Sequence, residues 1–250
     1  MKETFEQAVR ILGGGGRVAV LTGAGISVES GIPDFRSAEG LWSRYDPSEY
    51  ATIEAFRADP RRVWHMLAEM IDVLEDARPN AAHRALARLE AAGVVEGIIT
   101  QNVDGLHQVA GSRCVIEFHG SHRTLSCLAC GERCTHEEAR PRGTPPECSC
   151  GELLKPDVVF FGEDIPRHAL EASYRLASGC RTMLVIGTSA EVAPASQMPL
   201  LANRNGATVI EVNLERTCLT HGVSDLFLQG PAGTVVARLA DEVLARLGEA

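Results

Sequence analysis

The sequence predicts an α/β protein, built on a doubly wound, mostly parallel sheet that a small cysteine-bearing module interrupts. Three observations predict it. Short apolar runs alternate with helical patterns along most of the chain, the rhythm of βαβ units. Three of the runs end in polar or glycine-rich segments, and open α/β sheets bind ligands at the carboxyl ends of their strands. The segment 123–154 breaks the rhythm, being poor in apolar residues and rich in Cys, Gly and Pro.

Residues 3–12 carry an amphipathic pattern that stops at the run Gly13–Gly16. No Lys-Ser or Lys-Thr follows, so the run is a helix stop and not a nucleoside-triphosphate loop. Arg17 to Leu21 reads as a strand entering Thr22-Gly23-Ala24-Gly25-Ile26-Ser27. The glycines let the backbone approach a pyrophosphate, and a helix is expected to follow with its N-terminus aimed at the anion. Val28 stands where a third glycine of G-x-G-x-x-G would be, and no acidic residue ends a second strand where a dehydrogenase holds its ribose. Hydride transfer is therefore disfavoured.

Residues 31–50 are rich in turn formers and read as an ordered loop over a site, or a lid. Within it, Arg36 is placed to meet a phosphate and Phe35 to shield a reactive centre from water. The pattern over 53–77 is helical, with Asp59-Pro60 starting a second helix, and Asn80 caps a helix over 81–92 that Gly93 closes. Val94 to Ile99 is a buried strand leading into Thr100-Gln101-Asn102-Val103-Asp104-Gly105-Leu106-His107. Cys114 to Phe118 is another, ending in His119-Gly120. Further strands are expected near 156–161, 182–187 and 207–212, and helices over 167–178, 195–204 and 233–247.

The chain has 250 residues and a net charge of −9. No basic stripe is visible, which argues against nucleic acid as a partner. No apolar run is long enough for a membrane span and none reads as a signal peptide, so a cytoplasmic protein without a membrane partner is expected.

Five of the eight cysteines fall between Cys127 and Cys150. Cys127-x2-Cys130-Gly and Cys148-x-Cys150-Gly form two knuckles suited to one tetrahedral zinc ion, closed by four thiolates and hence structural. The second knuckle has a single spacer residue, which leaves Cys134 or His136 as a substitute ligand. His119 ends a strand beside Asn102 and Asp104, a placement suited to a general base. His107 is expected near the site, while His65, His83, His122, His168 and His221 read as structural or surface residues. Gly187-Thr188-Ser189 ends the strand 182–187, and Asn213 and Glu215 follow the strand 207–212; both places suit the adenosine side of a pocket.

Taken in order, these motifs resemble the sirtuin family of NAD-dependent protein deacylases, in its bacterial or archaeal form. The resemblance is collinear from about Arg17 to Leu239 and includes Val158-Val159-Phe160-Phe161-Gly162-Glu163. It implies a Rossmann-like domain (1–36, 79–122 and 155–250), a helical insertion with the cofactor loop (37–78) and a zinc-binding module (123–154). It implies NAD as a consumed co-substrate, one structural zinc ion on Cys127, Cys130, Cys148 and Cys150, and acyl-lysine proteins or peptides as partners. In such a reaction the acyl oxygen attacks the nicotinamide ribose carbon and nicotinamide leaves. His119 then deprotonates a ribose hydroxyl, and water completes release of lysine and O-acyl-ADP-ribose. Asn102 and Asp104 would hold the ribose and the nicotinamide carboxamide. Gly23, Ala24, Gly25, Ser27, Phe35, Arg36, Gln101, Val103, Gly187, Thr188, Ser189, Asn213 and Ala232 would complete the cofactor site. Val158 to Glu163 would pair with the substrate backbone by strand addition.

Family members that remove acidic acyl groups carry a Tyr and an Arg where this chain has Leu67 and Met70, so acetyl or longer apolar acyl groups are the expected substrates. Glu191 lies where relatives often carry more apolar residues, near the expected peptide groove. The competing readings are mono-ADP-ribosyl transfer and a zinc-containing binding protein with a degenerate nucleotide pocket.

Overall fold

The computed structural model describes residues 2–34 and 40–248. The helices are α1 (Lys2–Gly13), α2 (Pro47–Tyr50), α3 (Ile53–Ala58), α4 (Pro60–Asp76), α5 (Ala81–Ala91), α6 (Leu106–Val109), α7 (His136–Ala139), α8 (Arg167–Gly179), α9 (Gln197–Arg204) and α10 (Ala232–Gly248). The strands are β1 (Val18–Thr22), β2 (Val95–Thr100), β3 (Val115–Glu117), β4 (Gly120–Cys127), β5 (Arg133–Thr135), β6 (Leu154–Val158), β7 (Thr182–Ile186), β8 (Thr208–Asn213) and β9 (Leu226–Gln229).

Six strands form one sheet in the order β3-β2-β1-β7-β8-β9, all parallel. The chain builds outward from β1 to β3, then returns beside β1 as β7 and builds the other way. That reversal opens a crevice between the ends of β1 and β7, the switch point where such sheets take ligands. β1 and β7 are buried along their whole length, as expected of strands covered on both faces. Side chains of α1, α5 and α10 pack on one face around Val20, Ile98 and Ile210. Those of α8 and α9 cover the other around Leu21, Met183 and Val209.

Local signals set the helix starts. Asp59 accepts the Arg62 N–H ahead of Pro60 at the first turn of α4, and Asn80 accepts the Ala82 N–H at 2.9 Å to open α5. Each relieves an amide that the helix itself leaves unpaired.

β5, β4 and β6 make a separate antiparallel sheet. The segment expected as a strand over 156–161 is β6, which ends at Val158 and joins this small sheet instead of the main one. The small sheet therefore starts at Gly120, before the 123–154 module expected from composition. Gly120 makes the crossing possible: it has φ +74°, and a Cβ there would sit 1.9 Å from the Asp157 carbonyl oxygen. Helices α3 and α4 pack on the small sheet through Phe56, Trp64 and Leu67 against Leu125, Leu154 and Phe160. The Trp64 indole donates to the Leu154 carbonyl at 2.8 Å. Helical insertion and cysteine module thus share one core and form a single small lobe. Among the described residues, no helix is long and apolar enough to cross a membrane.

Candidate active site

A cleft of about 1130 Å³ lies between the main sheet and the small lobe. Its floor is the switch point, where the turns after β1 and β7 meet backbone to backbone. The Gly23 N–H donates to the Ile186 carbonyl at 3.1 Å and the Gly25 N–H to the Gly187 carbonyl at 2.9 Å. A Cβ on Gly25 would lie 2.8 Å from the Gly187 Cα, and one on Gly23 would lie 2.7 Å from the Thr188 Cβ. The glycines are required first by this packing. Of the three amides at 23–25, only that of Ala24 has no acceptor among the described residues. The helix expected after this turn is absent: the chain makes two 3-10 turns, Ala24–Ile26 and Val28–Ser30. Segments this short have no appreciable macrodipole, so an anion here meets single amides.

The loop after β2 supplies the next wall. Asn102 Nδ2 donates to the Gly23 carbonyl and to Ser27 Oγ, each at 3.1 Å, and Oδ1 keeps no partner among the described residues. Ser27 Oγ in turn donates to Asp104 Oδ2 at 2.7 Å, while Asp104 Oδ1 accepts the Leu106 N–H at 2.9 Å. Asp104 and Ser27 are both buried and stand behind the cleft wall, bracing Asn102. Gln101 Nε2 donates to Thr188 Oγ1 at 3.0 Å, tying the β2 loop to the β7 loop.

His119 follows β3, lies beside this loop and lines the cleft. Its Nδ1 lies 3.1 Å from the Gln101 carbonyl. A carbonyl only accepts, so Nδ1 carries the proton and Nε2 keeps its lone pair. Burial pushes the imidazole pKa below the ordinary value, more than the carbonyl bond raises it. The neutral base form is favoured at pH 7.

His122, read from the sequence as structural or surface, is a buried structural residue. Its Nδ1 lies 2.6 Å from the Val103 carbonyl. Two imidazoles three residues apart therefore hold two carbonyls two residues apart, and together they fix the 101–103 loop. The spacing of His119-Gly-Ser-His122 against Gln101-Asn-Val103 was the available signal.

The stretch Val158–Glu163 lines the cleft on the lobe side. The Val159, Phe160 and Phe161 N–H groups are engaged by the His119 carbonyl, Glu163 Oε2 and the Ala51 carbonyl. The Val159 carbonyl and the Gly162 N–H have no partner among the described residues. Leu41, Trp42, Met66, Leu67 and Met70 make an apolar wall beside Phe160.

Ser189, Asn213 and Glu215 line the far end of the cleft. Asn213 Nδ2 donates to the Thr188 carbonyl at 3.0 Å and Oδ1 accepts the Leu214 N–H at 2.9 Å. Ala232, expected on the cofactor side, is not part of the cleft lining; it opens α10, where the next amide, Gly233, donates to Glu29. Phe35 and Arg36 lie outside the described residues.

The sulfurs of Cys127, Cys130, Cys148 and Cys150 all lie within 4.8 Å of one another. Two of the separations are 3.6 and 3.4 Å. Zinc–sulfur bonds of ~2.3 Å make a tetrahedron with edges of about 3.8 Å, so four thiolates at these distances fit one zinc ion. The substitute ligands left open by the tight second knuckle are placed elsewhere. Cys134 is in the lobe core, and His136 Nδ1 is 3.3 Å from Glu75.

The model of the Sir2 family matches residues 23–194. The chain is 50% identical over 229 residues to NAD-dependent protein deacylase 2 of Pyrobaculum aerophilum, covering 91% of each chain. A solved Sir2 homologue in complex with NAD superposes with TM-score 0.90 at 42% identity, covering 97% of this chain and 94% of the other. A Sir2 protein bound to a myristoylated histone peptide superposes with TM-score 0.85 at 36% identity over the full length of both.

Proposed function

The chain belongs to the Sir2 family and is an NAD-dependent protein deacylase, and on that premise we propose which of its residues carry the reaction. NAD supplies the reaction with a ribose carbon that takes the acyl oxygen as nicotinamide leaves. The chain's own residues bind, orient and move protons.

The pyrophosphate is assigned to the Gly23-Ala24-Gly25 turn, where the Ala24 amide has no acceptor among the described residues and the Ala24 methyl is the largest side chain. The adenosine end is assigned to Ser189, Asn213 and Glu215. Asn102 holds the nicotinamide ribose through Oδ1, and Asp104 acts through Ser27 and Asn102 in this geometry. Val103 packs beside the nicotinamide. Thr188 and Gln101 join the two halves of the floor.

His119 is the general base. Nε2 accepts a proton from a ribose hydroxyl, which frees that oxygen to take the acyl group. Nδ1 stays protonated on the Gln101 carbonyl throughout. An imidazole that is neutral at pH 7 is matched to this step.

The substrate is an acyl-lysine in a protein or peptide. Its backbone is assigned to the Val159 carbonyl and the Gly162 N–H, and its acyl chain to the apolar wall of Leu41, Trp42, Met66, Leu67, Met70 and Phe160. Main-chain contacts give loose sequence specificity, while an apolar wall favours acetyl and longer apolar acyl groups over acidic ones. The solved relative bound to a myristoylated histone peptide supports an acyl-lysine of this kind.

The observation that carries this reading is the His119–Gln101 bond, which presents an unprotonated Nε2 at the meeting of the cofactor floor and the lobe. The test mixes the protein with NAD and an acetyl-lysine peptide and follows products by mass spectrometry. Free lysine peptide, nicotinamide and O-acetyl-ADP-ribose are expected together, and His119→Ala loses them. Nicotinamide release with the peptide still acetylated would overturn the reading.

A further inference from the structure

Lys155 is one of two lysines in the chain and it is buried, with 5% of its surface exposed. Its ammonium lies 2.8 Å from Glu163 Oε2. It donates to the Val158 carbonyl at 2.7 Å and to the Pro156 carbonyl at 3.2 Å. The ring of Phe160 covers it, 4.2 Å from Nζ to the ring centre. None of the roles assigned above uses this ammonium.

Glu163 closes a turn over it. Glu163 Oε2 accepts the Phe160 N–H at 2.8 Å, and the Glu163 N–H returns to the Phe160 carbonyl at 3.0 Å. Gly162, inside the turn, has φ +87°, a conformation that side chains rarely adopt. Of the two groups assigned to the peptide backbone, the Gly162 N–H lies inside this turn and the Val159 carbonyl immediately precedes it. The carboxylate that makes the turn sits on an apolar lobe and needs a counter-charge to stay there. Lys155 supplies it from beneath.

We infer that Lys155 is a positioning residue for the acyl-lysine substrate: by neutralising Glu163 it holds the 160–163 turn in the form that receives the peptide backbone. Glu163, expected from sequence to touch the substrate, acts here through Phe160. The inference rests on the assignment of 158–163 as the substrate groove. It separates the two substrates, because the cofactor floor is built on other elements, β1, β2, β7 and β8.

The test uses the full-length, zinc-loaded protein. Steady-state KM values for an acetyl-lysine peptide and for NAD are measured in the wild type, Lys155→Met and the double variant Lys155→Met/Glu163→Gln, with ADP-ribose affinity by calorimetry. Lys155→Met is expected to raise the peptide KM at least tenfold, with NAD KM and ADP-ribose affinity within twofold of the wild type. The double variant is expected to recover the peptide KM to within threefold of the wild type, because a glutamine amide oxygen still accepts the Phe160 N–H and needs no counter-charge. A peptide KM unchanged in Lys155→Met overturns the inference, as does an equal rise in both KM values. If Lys155→Met does not fold, the double variant decides alone: recovery within threefold supports the pairing and a tenfold loss overturns it. Absence of peptide turnover in the wild type would overturn the groove assignment itself, and this inference with it.

Discussion

The Nδ1 proton of His119 is held by the Gln101 carbonyl at 3.1 Å, so that one side of the ring is fixed by the loop that lines the cleft. Because burial pushes this imidazole below its ordinary pKa, the base form is present above that depressed value and is lost as pH falls through it. The acid limb of kcat/KM should therefore fall with a midpoint below about 6.5. His119→Ala should lower kcat by at least ~100-fold, the scale of general-base catalysis, with ADP-ribose binding retained. A pH–rate profile and calorimetry check both.

Behind the site, His83 and His107 are buried with ring centres 4.9 Å apart. Burial depresses them to about 4 and about 3. The unfolded chain binds their protons as pH falls below about 6.5, while the folded chain does not. Stability is then fully present above that pH and is lost progressively toward pH 4. Denaturation midpoints in urea measured from pH 7.5 to 4.5 should drop, and His107→Asn should flatten the drop.

Removing zinc should unfold the cysteine knuckles that join β4, β5 and β6, while the core that α3 and α4 share with the small sheet persists. Cys127→Ser should bind no zinc by elemental analysis and lose deacylation, while the main sheet keeps its far-ultraviolet dichroism. Full activity in the zinc-free protein would contradict this.

The apolar wall bears on acyl choice. A succinyl carboxylate beside Leu67 and Met70 would meet no cation among the residues of that wall, at a cost of at least ~1–3 kcal/mol. Desuccinylation should accordingly run at least tenfold slower than deacetylation on matched peptides, and hydrolysis of an octanoyl or myristoyl lysine should be detectable.

Glu211 is fully buried in β8 and accepts three hydroxyls, from Thr217 at 2.6 Å and from Thr220 and Ser224 at 2.7 Å. It pins the 214–224 loop at the far end of the cleft. Glu211→Gln, which replaces one acceptor oxygen by a donor, should cost roughly 1–3 kcal/mol of stability and raise KM for NAD severalfold without moving that for peptide.

Much of this was legible in the sequence. The strand ends carrying Thr22, Thr100 and Gly187, the proposed base His119 and the four clustered cysteines able to hold zinc all stood out, because each combines an apolar run or fixed spacing with residue types of narrow use. Less legible was what depends on partners distant in sequence. β9 is four residues long and pairs only with β8, so its periodicity was too short to read. β4 carries Ser, His, Arg and Thr, and its strand character comes from pairing with β5 and β6. The helix expected after Gly23-Ala24-Gly25 gave way to 3-10 turns because the amides there are drawn to β7. The buried pairing of Lys155 with Glu163 leaves no mark in a sequence where Glu163 reads as part of the substrate segment and Lys155 stands outside every motif.

The close meeting of Gly25 and Gly187 has a consequence for how such an enzyme can change. With no room for a methyl group on either side, the proposed seat of the dinucleotide is nearly frozen against mutation. The lobe opposite is built from ordinary side chains around Leu67, Met70 and Phe160. Inheritance can remodel one bank of the cleft, and with it the acyl groups accepted, while the other bank keeps the same co-substrate.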